Sequence, residues 1–136
     1  MNDVDVLIPE PQEIWIGKRS YLLGELSLLQ TLKVGKFIVK SIFNSKEKLD
    51  ALAKEAEGST DNMQDALKII ELLDEDKIPE LISIILKEND IEYLHTNLTP
   101  TNTSEIIAVL CENNDFLTLK KNINRIMKAV KKEKES

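Results

Sequence analysis

At 136 residues, 42% of them hydrophobic, and with no uninterrupted apolar run of ~18, the chain is long enough for one buried core and too polar for a membrane span. A formal net charge of -6 at pH 7 disfavours free nucleic acid as an overall partner, and a single cysteine excludes an internal disulfide. The acidic opening Met1-Asn2-Asp3-Val4-Asp5 is neither a signal nor a transit peptide, so a soluble protein in a reducing, intracellular setting is expected.

Residues 1–12, with Pro9 and Pro11 and little periodicity, read as an extended arm. Residues 13–23 read as a β-hairpin. Ile14-Trp15-Ile16 and Tyr21-Leu22-Leu23 belong to two β-prone runs, and Gly17-Lys18 between them supplies the positive φ that a type II′ turn needs at its first central position. Nothing after it is strand-like. Residues 24–130 should form a bundle of about six helices and residues 131–136 a frayed tail, so the chain is expected to be a single, mainly α domain.

A first helix should open at Ser27, whose spacing to Gln30 is that of a capping box. At about 100° per residue, Leu28, Leu29, Leu32, Ile38, Val39, Ile42 and Phe43 share one half of the wheel. Gly35 falls near its middle, where a missing side chain lets another helix approach. Val34 and Phe37 fall outside that half, on a face where solvent is the default, which makes them candidates for contact with a partner.

Asn44-Ser45 breaks the pattern, and residues 46–57 form a short polar helix with Leu49, Leu52, Ala53 and Ala56 as its apolar edge. After a loop at 58–62, a helix over about 62–73 should bury Met63, Ala66, Leu67, Ile70 and Leu73. Pro79 suits the first turn of the next helix. There Leu81, Ile82, Ile84, Ile85 and Leu86 point nearly all round, which predicts the central, most buried element. A short helical turn at 91–94 follows, and Thr99-Pro100 then forms an N-cap with proline at the first helical position of a helix ending at Glu112. The last helix, from Asn114 or Asp115, spaces Phe116, Leu119, Ile123, Ile126 and Val130 by threes and fours, with Lys120, Lys121, Arg125, Lys128 and Lys132 off that seam. Such a seam suits either the protein's own bundle or a partner helix, so its five residues join Val34 and Phe37 as contact candidates.

Residue types that carry catalysis are scarce. His95 is the only histidine, and the four glycines, Gly17, Gly24, Gly35 and Gly58, are dispersed, so no shared metal site, base-activated nucleophile or phosphate-cradling loop is spelled out. Glu88, Asp90 and Glu92 lack the glycine pivot of a calcium loop. Cys111, in the run after Ile106-Ile107-Ala108-Val109-Leu110, is expected to be a small buried thiol. No enzymatic activity, metal or cofactor is expected.

Charge is unevenly distributed. Positions 50–92 hold thirteen acids against four lysines, whereas 18–49 and 116–136 each hold seven bases against two acids. Such blocks attract one another within a fold or between copies, which leaves a homo-oligomer open. The basic face of the last helix is accordingly expected to be solvated or paired with the acidic middle rather than bound to DNA or RNA.

The hairpin Trp15-Ile16-Gly17-Lys18-Arg19-Ser20-Tyr21 and the helix opening Leu26-Ser27-Leu28-Leu29-Gln30 resemble the start of tail assembly chaperones of long-tailed phages and prophages. Later, Asn97-Leu98-Thr99-Pro100, the run from Glu105 to Leu110, and Asn114-Asp115-Phe116 are similar to those proteins' final helices. The likeness is one of layout and short motifs over residues 13–127. It implies a non-catalytic protein in the cytoplasm of the phage-infected or prophage-carrying bacterium, which binds the tape measure protein while tail tube subunits assemble around it. The tape measure protein and the tail tube protein are the implied partners. The family offers no invariant site motif, so Val34, Phe37, Phe116, Leu119, Ile123, Ile126 and Val130 stand as client-binding candidates on their own pattern. The alternatives are a structural tail or neck adaptor that stays in the virion, and a helical regulator with no tail role.

Overall fold

The structure, a computed structural model, describes residues 10–56, 61–113 and 115–135. Two antiparallel strands, β1 (Gln12–Ile16) and β2 (Arg19–Leu23), lead into α1 (Leu28–Ser41), α2 (Lys46–Ala56), α3 (Asn62–Glu71), α4 (Lys77–Leu86), α5 (Ile91–Asn97), α6 (Pro100–Glu112) and α7 (Asp115–Glu135). The fold is mainly α with one hairpin, as predicted. The turn expected at 91–94 is a helix in its own right, which brings the described helices to seven. Of the predicted arm, residues 1–9 lie outside the described residues, and Gln12 belongs to β1.

Local signals explain where the helices begin. Ser27 and Gln30 form the reciprocal capping box, Thr99 and Asn102 form a second one ahead of Pro100, and Asp61 and Asp90 accept from the amides of Gln64 and Tyr93. At the other end of α4, Lys87 adopts a left-handed cap with φ 58, and the Glu88 amide closes back on Ser83 O at 3.0 Å. The final helix runs on through Glu135, past the fraying expected beyond Lys131, in a Lys/Glu sequence whose residues are good helix formers.

One hydrophobic cluster joins the hairpin to the helices: Ile14, Ile16 and Leu23 are buried with residues from α1 to α7. Its spine is the pair α1 and α7, rather than the predicted α4. Packed on α1 and α5, α4 buries Pro79, Leu81, Ile82 and Ile85 but leaves Ile84 and Leu86 only partly covered.

The buried arc of α1 also differs from the predicted one. It comprises Thr31, Val34, Gly35, Ile38, Val39 and the cap residue Ile42, while Leu28, Leu29 and Phe43 are exposed. Because α1 packs against both α7 and α4, the cleft between those helices sets the covered arc, not the row of largest side chains. Thr31 fits there because its hydroxyl donates to Ser27 O at 2.9 Å, leaving a methyl for the core. Val34, only 1% exposed, is core, and Phe37 is partly buried against it. In α3 the same correction applies: Leu67 is exposed and Asp65 is buried.

Gly35 faces α7, as the close-approach argument requires, yet there is room beside it. A Cβ built there would sit 3.4 Å from Ile126 Cδ1 and 3.7 Å from Ile123 Cγ1, which is ordinary van der Waals contact. Gly35→Ala is therefore expected to stabilise the protein by up to about 1 kcal/mol through helix propensity. Urea denaturation checks this, and a loss of stability would mean that α1 and α7 are closer than a methyl allows.

Charge blocks meet within the fold. Arg19 and Lys48 of the first basic block pair with Glu88 and Asp74 of the acidic middle at 2.6 and 3.5 Å, and Lys120 of the last block pairs with Asp65 at 3.0 Å.

Candidate binding surface

The hairpin is built from its turn outward. Gly17 has φ +61 and Lys18 has no positive φ, the combination of a type II′ turn. A helix 75 positions away completes it. The Tyr93 hydroxyl accepts from the amides of Lys18 at 2.8 Å and Arg19 at 3.0 Å and donates to Ile16 O. Only glycine leaves space for that oxygen, since a Cβ on residue 17 would stand 2.6 Å from it.

Polar contacts fix the remaining sides. Arg19 Nη1 lies 2.6 Å from Glu88 Oε1, its Nη2 lies 3.4 Å from Asp90 Oδ2, and its guanidinium stacks 3.9 Å from the Tyr93 ring centroid. The Tyr21 hydroxyl donates to the same Glu88 oxygen at 2.8 Å. Along β1, Asn102 Nδ2 donates to Trp15 O at 2.9 Å, and Gln12 Nε2 donates to Glu112 at 3.2 Å. The hairpin is thereby held by α5, α6 and the α4–α5 loop.

This clamp is pH-sensitive in a definite direction. The Tyr21 hydrogen bond first, then that of Arg19, hold the Glu88 carboxyl below its ordinary value, while burial and then the bond to Glu88 push Tyr21 up to about 12. A carboxyl whose folded pKa is lowered contributes stability that is complete above its unfolded pKa and is lost as pH falls through the folded value. For Tyr21 the contribution is complete below its ordinary value of 10.0 and is lost as pH rises towards about 12. The amide shifts of Gly17 and Lys18, followed by NMR, should move on acidification below the normal glutamate range. Glu88→Gln should remove that acid transition; its persistence in the variant would assign it to another group.

A supported hairpin has one face turned away from the core. Strand alternation sends Ile14, Ile16 and Leu23 inward and leaves Trp15 57% and Leu22 76% exposed. Just beyond β2, the first turn of α1 adds Leu28 at 68% and Leu29 at 61%. Leu29 lines an open groove of ≈ 390 Å³ with Ile84 and Ile91, bordered by Lys33 and Lys87. A recess of ≈ 170 Å³ that shares Gln30 and Lys87 with it reaches back to Leu22. Large apolar side chains left exposed on a chain that has a good core elsewhere, with Leu22 and Leu29 joined by adjacent recesses, mark an interaction surface.

The predicted contact residues lie elsewhere. Val34, Phe116, Leu119 and Ile123 are buried, and Phe37, Ile126 and Val130 pack partly buried against the same core. A client could reach the four buried ones only if the bundle opened, whereas Phe37, Ile126 and Val130 keep part of their surface in solvent. The seam of α7 faces this protein's own α1, with Leu119, Ile123 and Ile126 lying nearest to Gly35. Trp15 and Leu22 were within reach of sequence reasoning, because a strand whose inward residues are Ile14 and Ile16 must turn Trp15 outward.

Lys120 is not part of a solvated basic face. It is buried with Asp65, and its Nζ lies 5.6 Å from the Phe116 ring centroid, while Lys121, Arg125 and Lys128 are exposed. Cys111 is half-buried; burial first, then Asp61 and Glu112, push its thiol up and away from the reactive thiolate. His95 is exposed on α5, and among the described residues no group of three potential metal ligands occurs. No described helix is long and apolar enough to cross a membrane. No protein family, curated protein or solved structure matches the chain.

Proposed function

We propose that this protein is a non-catalytic tail assembly chaperone of a long-tailed phage or prophage, holding the tape measure protein in the bacterial cytoplasm while the tail tube grows around it. The layout of glycine-turn hairpin, capped leucine-rich helix and Thr99-Pro100 helix supports the family. The exposure of Trp15, Leu22, Leu28 and Leu29 carries the mechanism. It gives a client's apolar stretch a place to be sheltered while the net charge of -6 keeps the complex in solution.

Co-expression with the tape measure protein encoded in the same tail gene cluster, followed by affinity capture, tests this. The wild-type chain should retain the client, and a Trp15→Ser/Leu22→Ser/Leu29→Ser variant with unchanged helicity should lose it. Absence of capture by the wild type would overturn the role. Mass spectrometry of purified particles should find the protein missing, whereas a stoichiometric amount would mark a tail or neck adaptor.

A further inference from the structure

The two strands treat their outer edges differently. With a two-residue turn, this register puts Ile16 opposite Arg19 and Ile14 opposite Tyr21 at the hydrogen-bonding positions of the ladder, the first pair also bridged by the Tyr93 hydroxyl, so the intervening pairs, Trp15 with Ser20 and Glu13 with Leu22, turn their N–H and C=O groups outward. On β1 the outward row is met by α6, through the Asn102 bond to Trp15 O. On β2, the outward groups of Ser20 and Leu22 have no partner among the described residues. No proline or bulge interrupts this edge, and its outward side chains, Ser20 and Leu22, carry no charge. Native proteins ordinarily blunt such an edge, as β1 does here.

We infer that the β2 edge accepts an extended segment of the client as a third strand. This rests on the client-holding role proposed above and adds the form in which the client is gripped. A helix has no free backbone groups to match the row presented by Ser20 and Leu22; an extended chain does. On the outer face its alternate side chains lie beside Ser20 and Leu22, so the position next to Leu22 is apolar. Lys18 at the turn and Lys87 in the recess are exposed and in no ion pair among the described residues, while Arg19 is already engaged by Glu88 and Asp90. Acidic residues towards the ends of the segment complement those two lysines.

The test is amide hydrogen exchange by NMR at Ser20 and Leu22, with the synthetic peptide DVTVTVD as the probe and the same peptide N-methylated at alternate residues as its control. Both amides should exchange freely in the protein alone at every concentration and slow by roughly tenfold or more with the peptide, but not with the control. Ser20→Pro, tolerable where an edge N–H points outward, should abolish peptide binding and keep the remaining hairpin shifts. The wild-type exchange data decide the matter even if that variant misfolds. Protection without peptide overturns the inference: a second copy covers the edge if protection rises with protein concentration, and the chain's own residues cover it if it does not. Absent binding, or binding that leaves both amides unchanged, also overturns it. No tape measure protein enters this experiment, so its failure leaves the capture test standing, and failure of the capture test leaves this one.

Discussion

Asp65→Ala is expected to destabilise the protein by about 3–5 kcal/mol, seen as a lower urea midpoint, because it leaves the buried Lys120 ammonium without its carboxylate. Both side chains are almost wholly enclosed, and the bond between them spans 55 positions from α3 to α7. Removing one partner exposes the other's full desolvation cost. Replacing both should not. Asp65→Leu with Lys120→Met keeps the volume and removes both charges, and should recover most of the loss or exceed the wild type. If the single variant cost less than about 1 kcal/mol, Lys120 would have escaped to solvent and the pair would be no more than a surface contact.

Ile123→Ala is the second large effect, at about 2–5 kcal/mol by the same denaturation measurement. Ile123 is fully buried on α7, against the Gly35 region of α1, at the centre of the fold's main helix pair. Truncation leaves a hole that two packed helices cannot close without shifting along their length. Set beside a domain stability of about 5–15 kcal/mol, either substitution removes a large share. The variant also separates two roles for the α7 seam. A client surface would lose capture and keep its stability; a core seam should lose stability while the folded fraction captures client as before.

What was readable in the sequence was local. The Gly17 turn, the Ser27–Gln30 capping box, the Thr99 N-cap and the Pro100 start each depend on residues within four positions of one another, and all appear where expected. The covered arc of α1 was not readable in that way, because it depends on which two helices flank it. Hydrophobicity favoured Leu28 and Leu29, and tertiary packing chose Thr31 and Val34. Asp65 looked like one more acid in an acidic stretch, and Lys120 like one more base on a basic face. Only their meeting across the fold explains why both are buried. The hairpin's outer face followed from strand alternation, but the Tyr93, Glu88 and Asn102 contacts that steady it come from some 70 to 90 positions away and left no local mark.

That separation has a consequence for synthesis. The hairpin emerges from the ribosome early, while Tyr93, which closes its turn, follows 75 residues later, a delay of roughly 4–15 s at translation rates of roughly 5–20 residues per second. Throughout that interval β1 lacks the helix α6 that packs on it, and a product cut short before α5 would never acquire it. Such truncated chains should partition into inclusion bodies or be degraded.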